Sequence, residues 1–281
     1  MSGATIRGMG RLIGCLALTL LGSGANALEP VEFVVASNDK SLTRALKAAS
    51  VVLAADPKDI DAQDVLTNGR AEYAALLAAL YARGHYSAVI HVYADGREVA
   101  SIPPLETPAT VQTLKITVDP GPRFALSNAV VQPLPPRAEL PEGFRAGQPA
   151  ESGTIVAAAG AGVAAWRARG HAKAAVAAQD IVANHANATL SAAIRLDPGP
   201  VLRFGRLRIE GHERMRENRV RKIAGLPEGE VFDPVELDRA ASRLRRTGVF
   251  KSVSMEEDDA ITAPDLLGIT ALVVEQKPRR Y

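Results

Sequence analysis

The sequence predicts an α+β protein of three tandem modules, each of order β-α-α-β-β and each a three-stranded sheet with helices on one face. Three observations predict it. Asp119-Pro120-Gly121-Pro122 returns as Asp197-Pro198-Gly199-Pro200, an interval of 78 residues. A glycine that ends a helix and opens a strand occurs as Arg83-Gly84-His85-Tyr86, Arg169-Gly170-His171-Ala172 and Thr247-Gly248-Val249-Phe250, the last two again 78 residues apart. The segments between these marks alternate between helical and strand periodicity.

The helix before each glycine shows a buried face when residues eleven, eight, seven and four positions upstream are read together, since these are neighbours on one side of a helix. They are Tyr73, Leu76, Leu77 and Leu80 in the first copy, Ala159, Gly162, Val163 and Trp166 in the second, and Leu237, Ala240, Ala241 and Leu244 in the third. All twelve are apolar or small. The glycine stands where a helix commonly needs a left-handed residue to stop. Strands follow at Tyr86 to Tyr93, Ala172 to Ile181 and Val249 to Glu257, and closing strands at Val111 to Val118, Ala188 to Leu196 and Gly268 to Glu275. Turns are expected at Asp95-Gly96, Asn184 to Asn187 and the acidic cluster Glu256 to Asp259.

Each copy opens on a short strand, near Val31 to Val35, Phe124 to Val131 and Phe204 to Glu210. An upstream helix is readable at Leu42 to Ala54 and at Arg214 to Ala224. In the second copy Pro133, Pro135, Pro136 and Pro141 leave room for only a weak one. The resulting units are residues 28–122, 123–201 and 202–278.

Residues 1–27 have the three parts of a cleaved secretory signal: Arg7 and Arg11, an apolar run from Leu12 to Gly22, and the small-residue end Ala25-Asn26-Ala27. Cys15 is the only cysteine and falls within it, so the mature chain would hold no disulfide and no thiolate metal ligand. Without Arg7 and Arg11 the chain has 31 basic against 31 acidic residues, a balance that argues against general nucleic-acid binding.

Catalytic patterns are absent. Ser37-Asn38-Asp39-Lys40 fits S-x-x-K, but no K-T-G accompanies it, and Ser37 reads as the cap of the first helix. His85, His91, His171, His185 and His212 form no metal-spaced set with carboxylates. Glu256 to Asp259 lack the ligand spacing of a calcium loop and read as a solvated hairpin tip. We expect a binding protein with no enzymatic activity, metal or cofactor.

The three-module count, the β-α-α-β-β order, the strand entry after each glycine and the Asp-Pro-Gly-Pro joints together resemble polypeptide-transport-associated (POTRA) domains. They are most similar to the three that precede the barrel in TamA-type outer-membrane assembly factors of the BamA/TamA superfamily. The third copy carries the most specific match, in Gly211, Gly225-Leu226-Pro227-Glu228-Gly229, the Leu237 helix and Gly248-Val249-Phe250, followed by Val274-Glu275-Gln276-Lys277-Pro278.

The resemblance implies a location in the periplasm at the outer membrane. It also implies a TamB-like partner anchored in the inner membrane, unfolded outer-membrane clients such as autotransporters, and a barrel in cis. Family members continue into that barrel whereas this chain stops at residues 279–281, so a fragment is expected. A periplasmic arm of a two-partner secretion transporter and a barrel-free periplasmic chaperone or adaptor stay open as alternatives.

Unpaired sheet edges suit the capture of extended segments, because backbone hydrogen bonds give affinity with little sequence demand. The resemblance assigns that edge to the strand after each glycine, which makes Tyr86, Val89 and His91, Ala172 and Val176, and Val249, Phe250 and Val253 the candidate contacts. Arg239, Arg243 and Arg246 lie at i, i+4 and i+7 and are candidate contacts to a barrel or to lipid headgroups.

Overall fold

The computed structural model describes residues 30–55, 61–103, 106 and 108–276. The expected signal peptide and residues 279–281 lie outside the described residues. Three separate sheets each cover their own hydrophobic core.

The first module runs β1 (Glu32–Val35), α1 (Lys40–Ala49), α2 (Val51–Ala54), α3 (Ala62–Tyr81), β2 (Val89–Ala94), β3 (Arg97–Glu98) and β4 (Leu114–Asp119). Its sheet has the order β1-β4-β2-β3, with β1 parallel and β2 antiparallel to β4. Leu42, Leu46, Leu66, Leu76 and Leu80 close over Val92, Ile116 and Val118.

Three local expectations change here. The helix expected over Leu42 to Ala54 breaks at Ser50, whose Oγ accepts the Leu53 N–H at 3.0 Å. The N-cap of α1 is Asp39, which accepts from Ser41 N and Leu42 N at 2.7 and 3.1 Å, while Ser37 Oγ accepts from Asp39 N. Asp95-Gly96 does form a two-residue turn with both residues left-handed (φ 47° and 77°), but it leads into β3, a fourth strand, and not into the closing strand.

The second module contains β5 (Ala125–Gln132), α4 (Ser152–Arg167), β6 (Ala175–Asn184) and β7 (Thr189–Asp197), in sheet order β5-β7-β6. The proline-rich segment after β5 forms no helix among the described residues. Its absence changes the packing of the helix that remains. In the third module the second helix lies over the outer strand, whereas α4 lies chiefly over β7 and β5. A Cβ on Gly162 of α4 would stand 2.7 Å from Leu196 and 3.0 Å from Val131, so the small residues of this helix are what allow its close approach to those two strands.

The third module comprises β8 (Arg203–Glu210), α5 (Glu217–Ala224), α6 (Pro234–Arg246), β9 (Phe250–Thr262) and β10 (Leu266–Glu275), ordered β8-β10-β9. The acidic cluster is not a hairpin tip: β9 continues through Glu256 to Asp259 and the turn comes after Thr262. Two opposite charges explain why carboxylates are tolerated there, since Glu257 pairs with Arg167 and Asp258 with Arg208, the latter at 2.6 Å. Asp258 also occupies the space that a Cβ on Gly268 would need.

Candidate protein-binding edges

The two repeated sequence marks meet in space and form the joints between modules. His85 Nδ1 donates to Gly121 O at 3.2 Å, and His171 Nδ1 to Gly199 O at 2.8 Å. Asp119 and Asp197 each accept the N–H two residues on, from Gly121 and Gly199, both at 3.0 Å. The helix-ending glycines are left-handed, with φ of 80° at Gly84, 92° at Gly170 and 68° at Gly248, and the first two offer their carbonyls to the next module. Phe124 N reaches Gly84 O and Leu202 N reaches Gly170 O, both at 2.8 Å.

The residue two after each joint glycine inserts into the next core. Tyr86 packs against the second module's core and donates to Ala150 O at 2.8 Å, while Ala172 is buried within the third module's core. Phe250, at the same repeat position, is buried in the third module's own core.

The joints differ in chemistry. The first is an aromatic ladder, Tyr81–Tyr86–Phe124–His185, with ring centroids 4.7, 5.4 and 5.5 Å apart. The second is ionic: Arg167, on the last turn of α4, pairs with Glu257 of β9, donates to Ala172 O and stands 5.2 Å from the Phe232 ring, with Lys173 3.9 Å from the same carboxylate.

At the edges the three copies diverge. Strand β6 has one hydrogen-bonded neighbour, β7, and among the described residues no side chain caps its outer backbone groups. Nine of its ten residues are exposed, because α4 lies toward β5 and leaves both faces uncovered as well. It presents Val176, Ile181 and Val182 to solvent and carries one charge, Asp180. Strand β9 is also an edge, but Arg245 reaches over to Val253 O at 3.4 Å, Val249 O accepts from Gln276 N at 2.7 Å, and Glu257 is held by the joint. Strand β2 is covered along its second half by β3. Val89 is exposed on the open face, and His91 pairs with Glu98 at 3.0 Å. On β5 and β8 the outer backbone is already bonded by passing loops, through Leu126 N to Gln148 O and Phe204 N to Glu230 O.

The arginine stripe on α6 is partly engaged within the module. Arg243 Nε donates to Ala224 O at 2.7 Å and its Nη2 to Gly225 O at 3.1 Å, capping the C-terminus of α5. Arg239 pairs with Glu236, and Arg246 bonds Ser242 O one turn back.

Glu275, at the end of β10, ties the loop after β8 to the chain's exit. Its Oε1 accepts the backbone N–H groups of Glu213, Arg214 and Met215 at 3.1, 3.0 and 2.9 Å, and Oε2 accepts from Arg214 Nε at 3.0 Å. These donors, the Met215 N–H foremost, overcome the opposing effect of burial and hold the carboxyl at about 2, against an ordinary 4.5. A carboxyl that is more acidic when folded adds stability above its unfolded pKa, and that contribution is lost as pH falls from 4.5 toward about 2. The stability gap between the natural protein and Glu275→Gln is therefore expected to narrow across that window in acid-unfolding curves. A gap independent of pH would contradict the assignment.

Sequence reasoning missed Arg167, Phe232, Glu98 and Glu72. Glu72 alone left a signal: it lies four and eight positions before Leu76 and Leu80, on the buried stripe of α3.

The geometry has relatives among known proteins. Residues 202–276 match the POTRA family model, described as a surface antigen variable number repeat. POTRA domains 3–5 of BamA from Haemophilus influenzae align with a TM-score of 0.60 at 17% identity, over 88% of this chain and 96% of that one. BamA from Haemophilus ducreyi lacking POTRA domains 1–3 aligns at 0.44 with 20% identity, over 55% of this chain and 30% of that one. POTRA domains 1–3 of Omp85 from Anabaena align at 0.34 with 16% identity, over 88% and 95%. No curated protein matches the sequence. The chain has the fold of three POTRA domains in tandem, and the third of them, residues 202–276, matches the POTRA family model itself.

Proposed function

We propose that this chain is the periplasmic protein-binding region of an outer-membrane protein assembly factor, and that it takes extended client segments by strand addition to β6. The observation that carries the reading is the contrast among the three outer strands: β2 and β9 have backbone groups already bonded by the protein's own residues, whereas β6 offers a ten-residue row with neither edge nor faces covered. An exposed edge of that length and low charge is ordinarily an aggregation hazard, and one that persists fits use as a docking rail. Unfolded outer-membrane proteins, autotransporters among them, supply alternating strands of about this length.

By the same resemblance the TamB-like partner would engage an edge of these modules. Arg239 and Arg246, exposed on α6, would face the barrel or lipid headgroups, with Arg243 holding α5 in place. The segment of β2 from Val89 to His91 and that of β9 near Val253 are secondary contacts.

A photo-crosslinking amino acid at Val182 and, as a control, at Asn128 on the loop-covered strand β5 tests the reading. Urea-diluted outer-membrane protein should label at Val182 and not at Asn128. Equal labelling at both positions, or none at Val182, would remove β6 as the site.

A further inference from the structure

The outer edge of β2 carries a feature the other two outer strands lack. The backbone groups of Tyr93 face β4 and are followed by the Asp95 N–H to Thr113 O bond at 3.0 Å, so alternation directs those of Ile90, Val92 and Ala94 outward. Ala94 pairs with Arg97 of β3. The strand β3 then ends, and the chain turns inward through Val99–Ser101 to bury Val99 and Ile102, the latter's carbonyl held by Arg70 at 3.1 Å.

From that point side chains take over the work of a neighbouring strand. Glu98 Oε1 accepts the Val92 N–H at 3.2 Å, as a strand carbonyl would, and the Tyr73 hydroxyl lies 3.5 Å from Val92 O, where a strand N–H would lie. The same hydroxyl donates to Glu98 Oε1, and His91 holds Oε2 at 3.0 Å. Burial works to raise the Glu98 carboxyl, but the bonds from Tyr73, Val92 and His91 outweigh it and keep it below the ordinary carboxylate range. Burial followed by the bond to Glu98 pushes the Tyr73 phenol up to about 12. Both groups therefore keep the protonation state that the contact needs across the neutral range.

We propose that the β2 edge of the first module is a second site for an extended polypeptide segment, held closed by the Glu98 side chain acting as a stand-in strand. The proposal rests on the strand-addition reading of β6 and extends it to a site in reserve. Opening does not require the 97–102 segment to leave. Rotation of Glu98 alone frees Val92, which with Ile90 gives an incoming segment two successive outward residues, and the anchors Val99 and Ile102 stay buried.

The test uses the full chain with a photo-crosslinker at Val89, beside the edge, and separately at Val182 on β6. The probe is a ten-residue peptide of alternating valine and threonine flanked by lysines. In the natural protein Val182 should label and Val89 should not. Glu98→Ala should raise Val89 labelling about tenfold, the scale set by freeing one edge hydrogen bond, without changing Val182. Glu98→Gln keeps the acceptor for Val92 and should behave as the natural protein.

Amide exchange separates opening from unfolding: Val92 alone should speed up in Glu98→Ala, while His91 and Val118 stay protected. If all three speed up, Tyr73→Phe, which removes one donor to Glu98, takes its place and should give a smaller rise at Val89. Unchanged Val89 labelling in a folded variant, or strong labelling at Val89 in the natural protein, overturns the closed edge. The Val89 comparison is read whatever happens at Val182, and a dark Val182 counts against the β6 reading alone.

Discussion

Replacing Glu72 with alanine is expected to destabilise the first module by about 2–5 kcal/mol, because two buried backbone donors lose their acceptor at about 1–3 kcal/mol each. Glu72 is fully buried on α3. Its Oε2 accepts from Val51 N at 2.7 Å and Val52 N at 3.0 Å, closing the first turn of α2 where the chain restarts after Ser50. The α2 helix has only four residues and makes too few hydrogen bonds of its own to hold that geometry. Without the carboxylate, α1 and α2 lose the link that fixes them to α3. Glu72→Gln retains an acceptor and should lose markedly less. Urea denaturation followed by a probe in the first module would read the difference, and equal midpoints for Glu72→Ala and the natural protein would contradict the role assigned to this side chain.

Reversing the charge at Arg167 should uncouple the second and third modules. Arg167 and Glu257 are 27% and 16% exposed, so the pair is partly buried, and its loss is expected to weaken the joint by about 2–3 kcal/mol, less than the 3–5 kcal/mol of a fully buried pair. Arg167→Glu also places two carboxylates face to face and removes the cation from the Phe232 ring. The modules themselves should stay folded, since each has its own core. Small-angle scattering should therefore show a larger radius of gyration and a broader distance distribution, with unchanged circular dichroism. Glu257→Arg combined with Arg167→Glu should restore part of the coupling. Raised salt should loosen this joint more than the aromatic first joint. Scattering curves that match the natural protein would mean that the backbone contacts at Gly170 and Gly199 hold the joint alone.

The two joint motifs illustrate how much was legible. Their common period of 78 residues placed three modules, and the apolar stripe upstream of each glycine placed α3, α4 and α6. Such features are local: helix periodicity, a left-handed stop and a proline-bounded turn are written in consecutive residues. What the period could not convey is that His85 and His171 turn back onto Gly121 and Gly199, because that contact joins segments about thirty residues apart. The strands after each glycine also begin later than alternation suggested, at Val89 and Ala175, since the first residues of each run insert into the following module.

The edges depended on tertiary structure almost wholly. Alternation marks β2, β6 and β9 alike as strands following a glycine, and strand order puts each on the outer side of its sheet. Whether such an edge is open depends on side chains brought in from elsewhere: Glu98 and Tyr73 over Val92, Arg245 over Val253, and nothing among the described residues over β6.

The sequence by itself determined the module count, the order of elements and the joint positions, because these rest on local propensity and on burial patterns that repeat. The tertiary structure alone decided which edge stays open. An unpaired backbone group can be satisfied by any donor or acceptor that folding brings within about 3 Å, and sequence distance places no limit on where that partner comes from.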